Sequence, residues 1–152
     1  MKVLICDPLA ESALERLRAA GLEVVVRTGM SPEELAGELA KGYEVIVVRS
    51  ATKVRKPAID AAVGLKLIVR AGVGLDNIDV EYARKKGIEV RNTPRASTDS
   101  VAELALAHML ALARSLPQAT QSLREGRWEK KAFRGIELSG KTLGVIGIGR
   151  IG

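Results

Sequence analysis

Leu65-Lys66-Leu67-Ile68-Val69-Arg70-Ala71-Gly72-Val73-Gly74-Leu75-Asp76-Asn77-Ile78-Asp79 is the stretch from which the rest of the chain can be read. Its first five residues are too short an apolar run for a helix and long enough for a buried strand. A cation follows, then two glycines one residue apart, then an Asp placed to cap the next helix. A strand that ends in a glycine turn ahead of a helix leaves backbone N–H groups facing solvent, and such groups suit an anion. Glycine is needed where a ligand must approach the main chain closely. By itself the pattern is equally that of a plain strand-to-helix turn with a solvated Arg.

On either side of this stretch the same unit recurs. Strands are expected at Lys2–Cys6, Leu22–Val26, Val45–Val48, Lys66–Val69 and Ile88–Arg91, each an apolar run without alternation. Helical patterns separate them. Leu9, Ala13, Leu14, Leu17 and Ala20 lead to Gly21 as a C-terminal stop. Ser31-Pro32-Glu33-Glu34 reads as an N-cap, a proline at the first helical position and a capping box. Pro57 opens a short helix closed by Gly64, and Asp79 is expected to cap a helix that Gly87 ends. Continuous apolar strands alternating with helices signal a parallel sheet covered on both faces. Residues 1–94 are therefore predicted to be an α/β, doubly wound, five-stranded flavodoxin-like domain. Ligands of such sheets bind beyond the carboxyl ends of the strands. The loops Arg49–Lys53 and Arg70–Asp76 both follow strands and so open on one edge.

The pattern changes at Arg95. Ser97 or Thr98 is expected to cap a long helix from Asp99 to about Leu116. Val101, Leu104, Leu106, Met109, Leu110 and Leu112 make it apolar nearly all round, as for a helix buried between domains or subunits. The single histidine, His108, reads as a packed residue of that helix rather than a catalyst. Arg127–Gly135 is a basic arm carrying Trp128 and Phe133, suited to a subunit contact or to a tethered surface loop. The chain closes on Thr142-Leu143-Gly144-Val145-Ile146-Gly147-Ile148-Gly149-Arg150-Ile151-Gly152, an expected strand running into G-x-G-x-x-G. After a strand that motif signals the opening of a dinucleotide-binding unit. Residues 95–140 thus read as a linking helix and arm, and 141–152 as the start of a second domain.

Composition narrows the classes. With 152 residues, 47% hydrophobic, there is enough chain for a real core. Aromatics are only 3%, too few for base-stacking platforms. The net charge of +6 and pI near 9.7 then favour an anionic small molecule over nucleic acid. One cysteine, Cys6, forbids an internal disulfide and a Cys-rich metal site. No membrane-spanning run and no leader are evident, so a cytoplasmic protein is the default expectation.

Val48-Arg49-Ser50-Ala51-Thr52-Lys53-Val54, Arg70–Asp79, Asn92-Thr93-Pro94, Val101-Ala102-Glu103-Leu104 and the closing glycine motif occur in this order. Together they resemble the NAD-dependent D-2-hydroxyacid dehydrogenases, over the whole chain. The resemblance implies a substrate domain first, then a helix and arm at a homodimer contact, then the first strand of an inserted cofactor domain. It implies that Arg49, Ser50 and Arg70 hold substrate anions and that the backbone of Gly72-Val73-Gly74 meets the carboxylate. It implies NAD contacts at Val73, Gly147, Gly149, Arg150, Ile151 and Gly152. The family's catalytic Arg, acidic residue and His have no match here and are expected beyond residue 152. This chain alone is accordingly expected neither to bind NAD nor to transfer hydride. A non-enzymatic, free-standing anion-binding module remains the alternative from another class.

Overall fold

The structure, a computed structural model, describes residues 1–152. It comprises two compact units, Met1–Ala96 and Ser97–Gly152. The first unit alternates strand and helix: β1 (Lys2–Ile5), α1 (Glu11–Ala19), β2 (Glu23–Val26), α2 (Pro32–Leu39), β3 (Val45–Val48), α3 (Lys56–Ala61), β4 (Leu67–Arg70), α4 (Val80–Lys85) and β5 (Glu89–Asn92). The five strands form one sheet in the order β2-β1-β3-β4-β5. Every pairing is parallel.

One face of the sheet is fully buried under α2, α3 and α4, and the other is covered by α1, with Val47, Leu67 and Val69 only partly buried. Val3, Ile5 and Val45 pack with Leu14 of α1. Leu4, Cys6, Ile46 and Ile68 pack with Leu35 and Leu39 of α2, Ile59 of α3 and Ala83 of α4. The register places Leu4 beside Ile46, Ile46 beside Ile68 and Ile68 beside Val90, so one aliphatic row crosses four strands. Each such side chain contributes about 1.5–3 kcal/mol when fully buried.

Local signals explain the helix starts unevenly. The Ser31 capping box is formed: Ser31 Oγ accepts the Glu34 N–H at 3.2 Å and Glu34 Oε2 accepts the Ser31 N–H at 2.8 Å. Asp79 behaves otherwise than expected. It makes no cap on α4. Its carboxylate instead accepts the Lys56 N–H at the start of α3 and an N–H from Arg55 Nη1, both at 3.0 Å. Neither Ser97 nor Thr98 caps the long helix, which begins at Thr98 without a side-chain cap. β4 and β5 each lie one residue later than the sequence suggests, because the Lys66 N–H turns to the Glu44 carbonyl and the ladder begins at Val45 beside Leu67. Arg70 therefore ends β4, paired with Val48 on one side and Asn92 on the other.

The second unit contains α5 (Thr98–Ala113) and α6 (Leu116–Arg124). Between them Ser115 adopts a left-handed conformation, φ +50°. Ser122 is buried, with its hydroxyl 2.7 Å from Glu129 Oε2 and 3.0 Å from the Arg127 carbonyl. α5 buries none of its own residues in this chain, and Leu112 is 80% exposed. The strand expected over 142–146 is not formed; residues 141–152 carry neither helix nor strand. An apolar segment becomes a strand only when a neighbour completes its hydrogen-bond ladder, and Leu143, Val145 and Ile146 stand exposed. No helix is long and apolar enough to cross a membrane.

Candidate functional site

The carboxyl ends of β1, β3, β4 and β5 bring four short segments to one edge of the first unit: Asp7, Arg49–Thr52, Ala71–Gly74 and Asn92–Thr93. Two loops there are shaped largely by side chains reaching them from other elements.

The first loop follows β3. Asp7, 3% exposed, accepts the N–H groups of Arg49 and, at 3.4 Å, Thr52 on a single oxygen, Oδ2. From the other side Asn77, 4% exposed, donates from Nδ2 to the carbonyls of Arg49 at 2.6 Å and Thr52 at 2.7 Å. The Thr52 hydroxyl donates to the Cys6 carbonyl at 3.2 Å. Both ends of the loop are pinned, and Ser50 and Ala51 bow outward into solvent. Arg49 reaches back over the β1–α1 connection, its Nη1 3.3 Å from the Pro8 carbonyl.

The second loop follows β4. The Ala71 N–H donates to the Val48 carbonyl at 2.8 Å and the Gly72 N–H to the Arg70 carbonyl at 2.9 Å. Asn92 Nδ2 donates to the Val73 carbonyl at 2.6 Å, and the Thr93 N–H to the Gly72 carbonyl at 2.9 Å. Gly72 has φ +153°, and a Cβ there would stand 1.4 Å from Arg70 Nη1. The guanidinium of Arg70 thus lies where a side chain at residue 72 would be. Arg70 Nε is buried with no partner. Carbonyls of this loop point inward to Asn92 and Thr93, while the N–H groups of Val73 and Gly74, like those of Ser50 and Ala51, donate to nothing in the chain.

The edge therefore presents two guanidiniums and several free amide N–H groups, with the Asp76 carboxylate beside Gly74, where a Cβ would stand 2.9 Å from Asp76 Oδ1. Arginine pairs with carboxylates and phosphates through two parallel bonds, and consecutive free N–H groups form an anion-binding concavity. Cys6 is no nucleophile: burial first, then the nearby carboxylates of Asp7 and Glu38, push its thiol up to about 12. No cluster of three or more His, Cys, Asp or Glu side chains is arranged to hold a metal ion.

Arg49, Ser50, Arg70, Gly72, Val73 and Gly74 are thus all placed on this edge, as expected from sequence. Gly147, Gly149, Arg150, Ile151 and Gly152 belong to the second unit, whereas Val73 belongs to the first. A pyrophosphate cradle needs a strand, a tight glycine turn and a helix N-terminus. Here Gly147 has φ +90°, and a Cβ on Gly152 would stand 2.6 Å from the Gly147 carbonyl oxygen. In this structure residues 147–152 turn back on themselves and do not form that cradle. Sequence reading missed Asp7, Asn77 and Asn92. Asp7 was legible only as the Asp-Pro that ends β1, and Asn77 only as part of a turn.

Residues 3–136 match the family described as D-isomer specific 2-hydroxyacid dehydrogenase, catalytic domain. The chain is 58% identical over its full length to D-3-phosphoglycerate dehydrogenase of Archaeoglobus fulgidus, and spans 29% of that protein. It is 52% identical over 99% of its length to a hydroxypyruvate reductase of Thermotoga maritima, of which it spans 49%. Among solved structures, NAD+-bound 3-phosphoglycerate dehydrogenase of Entamoeba histolytica superposes with a TM-score of 0.77 at 33% identity, over 99% of this chain and 47% of that one. The chain spans less than a third of the first relative and about half of the other two. Matching that family over most of its length, this chain belongs to the D-isomer specific 2-hydroxyacid dehydrogenases.

Proposed function

We propose that this chain is the substrate-binding part of an NAD-dependent D-2-hydroxyacid dehydrogenase of the D-3-phosphoglycerate type. In this reading residues 1–94 are a flavodoxin-like substrate domain, 95–140 the linking helix and dimer arm, and 141–152 the opening of the cofactor unit. The observation that carries it is the meeting, on one edge, of two guanidiniums with the free N–H groups of two loops. The free N–H groups of Val73 and Gly74 suit the carboxylate shared by all 2-hydroxy acids, and Arg49 and Arg70 suit a second anionic group. 3-Phosphoglycerate has both. The exposed apolar side chains of α5 support a homodimer through that helix.

NAD, when bound in such an enzyme, accepts the hydride. The one histidine of residues 1–152, His108, lies on α5 in the second unit. The role assigned to the first unit in this reading is to bind and orient the acid.

A second reading, an acid without phosphate, is favoured by the 52% identity to a hydroxypyruvate reductase. Isothermal titration with 3-phosphoglycerate, glycerate, hydroxypyruvate and NAD separates the two. Tightest binding of 3-phosphoglycerate supports the first reading, equal binding of all three acids supports the second, and binding of none removes the substrate edge. NADH formation from 3-phosphoglycerate and NAD by the purified chain would contradict a purely binding role.

A further inference from the structure

Asp7 and Asn77 do not point at the edge, yet they contact the Arg49–Thr52 loop from opposite sides, at the same two residues. Asp7 takes both N–H groups, of Arg49 and Thr52; Asn77 takes both carbonyls, of the same two residues. Each side chain comes from a different part of the fold, Asp7 from the end of β1 and Asn77 from the turn before α4. The loop itself has no internal hydrogen bond.

The orientation of Asn77 is not arbitrary. Both its partners are carbonyl oxygens, which only accept, so the nitrogen must face them. Its Oδ1 is consequently buried with no donor. An unpaired buried acceptor opposes stability, and what the side chain gains against it is the pair of bonds to the loop. The same turn is further fixed by the Val54 N–H donating to the Asn77 carbonyl at 2.9 Å and by the Ile78–Val54 bridge. Asp7 is buried as well, and its carboxylate has the Arg49 and Thr52 N–H groups in place of water.

We propose that Asp7 and Asn77 are positioning residues for the anion-binding edge. Clamping Arg49 and Thr52 by all four of their backbone polar groups turns the Ser50 and Ala51 N–H groups outward and fixes the base from which the Arg49 guanidinium reaches. Asp7 Oδ2 is held by the Arg49 and Thr52 N–H groups rather than by the Arg49 guanidinium, whose Nη1 reaches the Pro8 carbonyl. This inference rests on the reading of the edge as a substrate site, and its test includes a readout that needs no ligand.

The experiment compares this chain with its Asn77→Leu, Asp7→Ala and Asp7→Asn variants. Amide hydrogen exchange by NMR reports the clamp directly. Arg49 and Thr52 N–H groups are protected in the parent and lose at least about tenfold of that protection in Asp7→Ala, while Ile46 and Ile68 stay protected. Titration with 3-phosphoglycerate reports its consequence: Asn77→Leu and Asp7→Ala bind about tenfold or more weakly, and Asp7→Asn, which keeps an acceptor oxygen, stays within about threefold of the parent. Unchanged exchange at Arg49 and Thr52 in Asp7→Ala overturns the clamp. Unchanged affinity in variants whose loop has loosened overturns positioning. A parent chain that binds no acid but loses loop protection on substitution refutes the substrate edge and leaves the clamp standing as a structural device only.

Discussion

The guanidinium of Arg70 occupies the space above the Cα of Gly72: a Cβ at residue 72 would stand 1.4 Å from Nη1 and 2.5 Å from Cζ. A glycine and an arginine two positions apart in sequence are one structural unit. Arg70, the last residue of β4, lies flat over the turn that follows it because the turn has no side chain there. Both loops of the edge are shaped in this way, by side chains that fill or pin backbone rather than by regular turns.

Gly72→Ala follows from that unit. The obstruction is the far end of a flexible side chain, so the fold survives while the guanidinium is driven off its seat. With φ at +153° alanine is also strained, at a cost of about 1–2 kcal/mol. Circular dichroism should show a folded chain with a modestly lowered thermal midpoint. Calorimetry should show 3-phosphoglycerate affinity reduced about as far as in Arg70→Ala, roughly tenfold or more.

Replacing either arginine by lysine tests fork geometry against charge. A lysine keeps the charge and loses the planar pair of donors. Arg49→Lys and Arg70→Lys should each weaken 3-phosphoglycerate binding about three- to tenfold. Raising salt should weaken the parent and both variants by similar factors, since screening acts on charge alone. Affinity unchanged in both variants would mean that charge suffices.

Stability should fall off at both ends of the pH scale for reasons that lie away from the site. Glu38, buried on α2, is held below the usual glutamate range first by the Lys41 ammonium at 2.7 Å and then by the Tyr43 hydroxyl at 2.5 Å. A carboxyl whose folded pKa is depressed stabilises the fold above its unfolded value, and that contribution is lost as pH falls below about 4.5. Tyr43 is pushed up from 10.0 to about 12, by burial first and by Glu38 second. The unfolded phenol ionises earlier, so stability declines between pH 10 and about 12. Cys6, raised from 9.0 to about 12, adds to the same alkaline limb. Thermal midpoints against pH should show Glu38→Gln flattening the acid limb and Tyr43→Phe removing part of the alkaline one.

The cap on α2 offers a measure of local stability. Ser31 satisfies the Glu34 N–H and is itself closed by the Glu34 carboxylate. Ser31→Ala should cost about 1 kcal/mol in chemical denaturation, with the slope unchanged.

How far the sequence could be read depends on the range of the interaction. The five strands are legible because Val, Ile and Leu runs of strand length between capped helices admit one architecture, and the Ser31 box is legible because its partners are three residues apart. Asp79 looks like a cap for α4 by the same local rule, yet it caps α3, because Lys56, 23 residues away, competes for its carboxylate. Asp7 and Asn77 meet Arg49 across separations of 42 and 28 residues, which no local pattern announces. The loop arginines and glycines of the edge were found through their motif. The residues that hold the loops were not, since an Asp before a proline and an Asn in a turn have sufficient local explanations. The strand expected ahead of Gly147 failed for a related reason: propensity within 142–146 is real, but a strand is a property of a pair.

The central claim is that the edge formed by Arg49–Thr52 and Arg70–Gly74 binds the acid, and mapping 3-phosphoglycerate onto the chain by NMR titration tests it most directly. The claim predicts saturable shifts of the Ser50, Ala51, Val73 and Gly74 amides, with the cores of β1 and β2 unmoved. Shifts confined to other basic surfaces, such as Arg127–Arg134, or no saturable shift at any concentration, would contradict it.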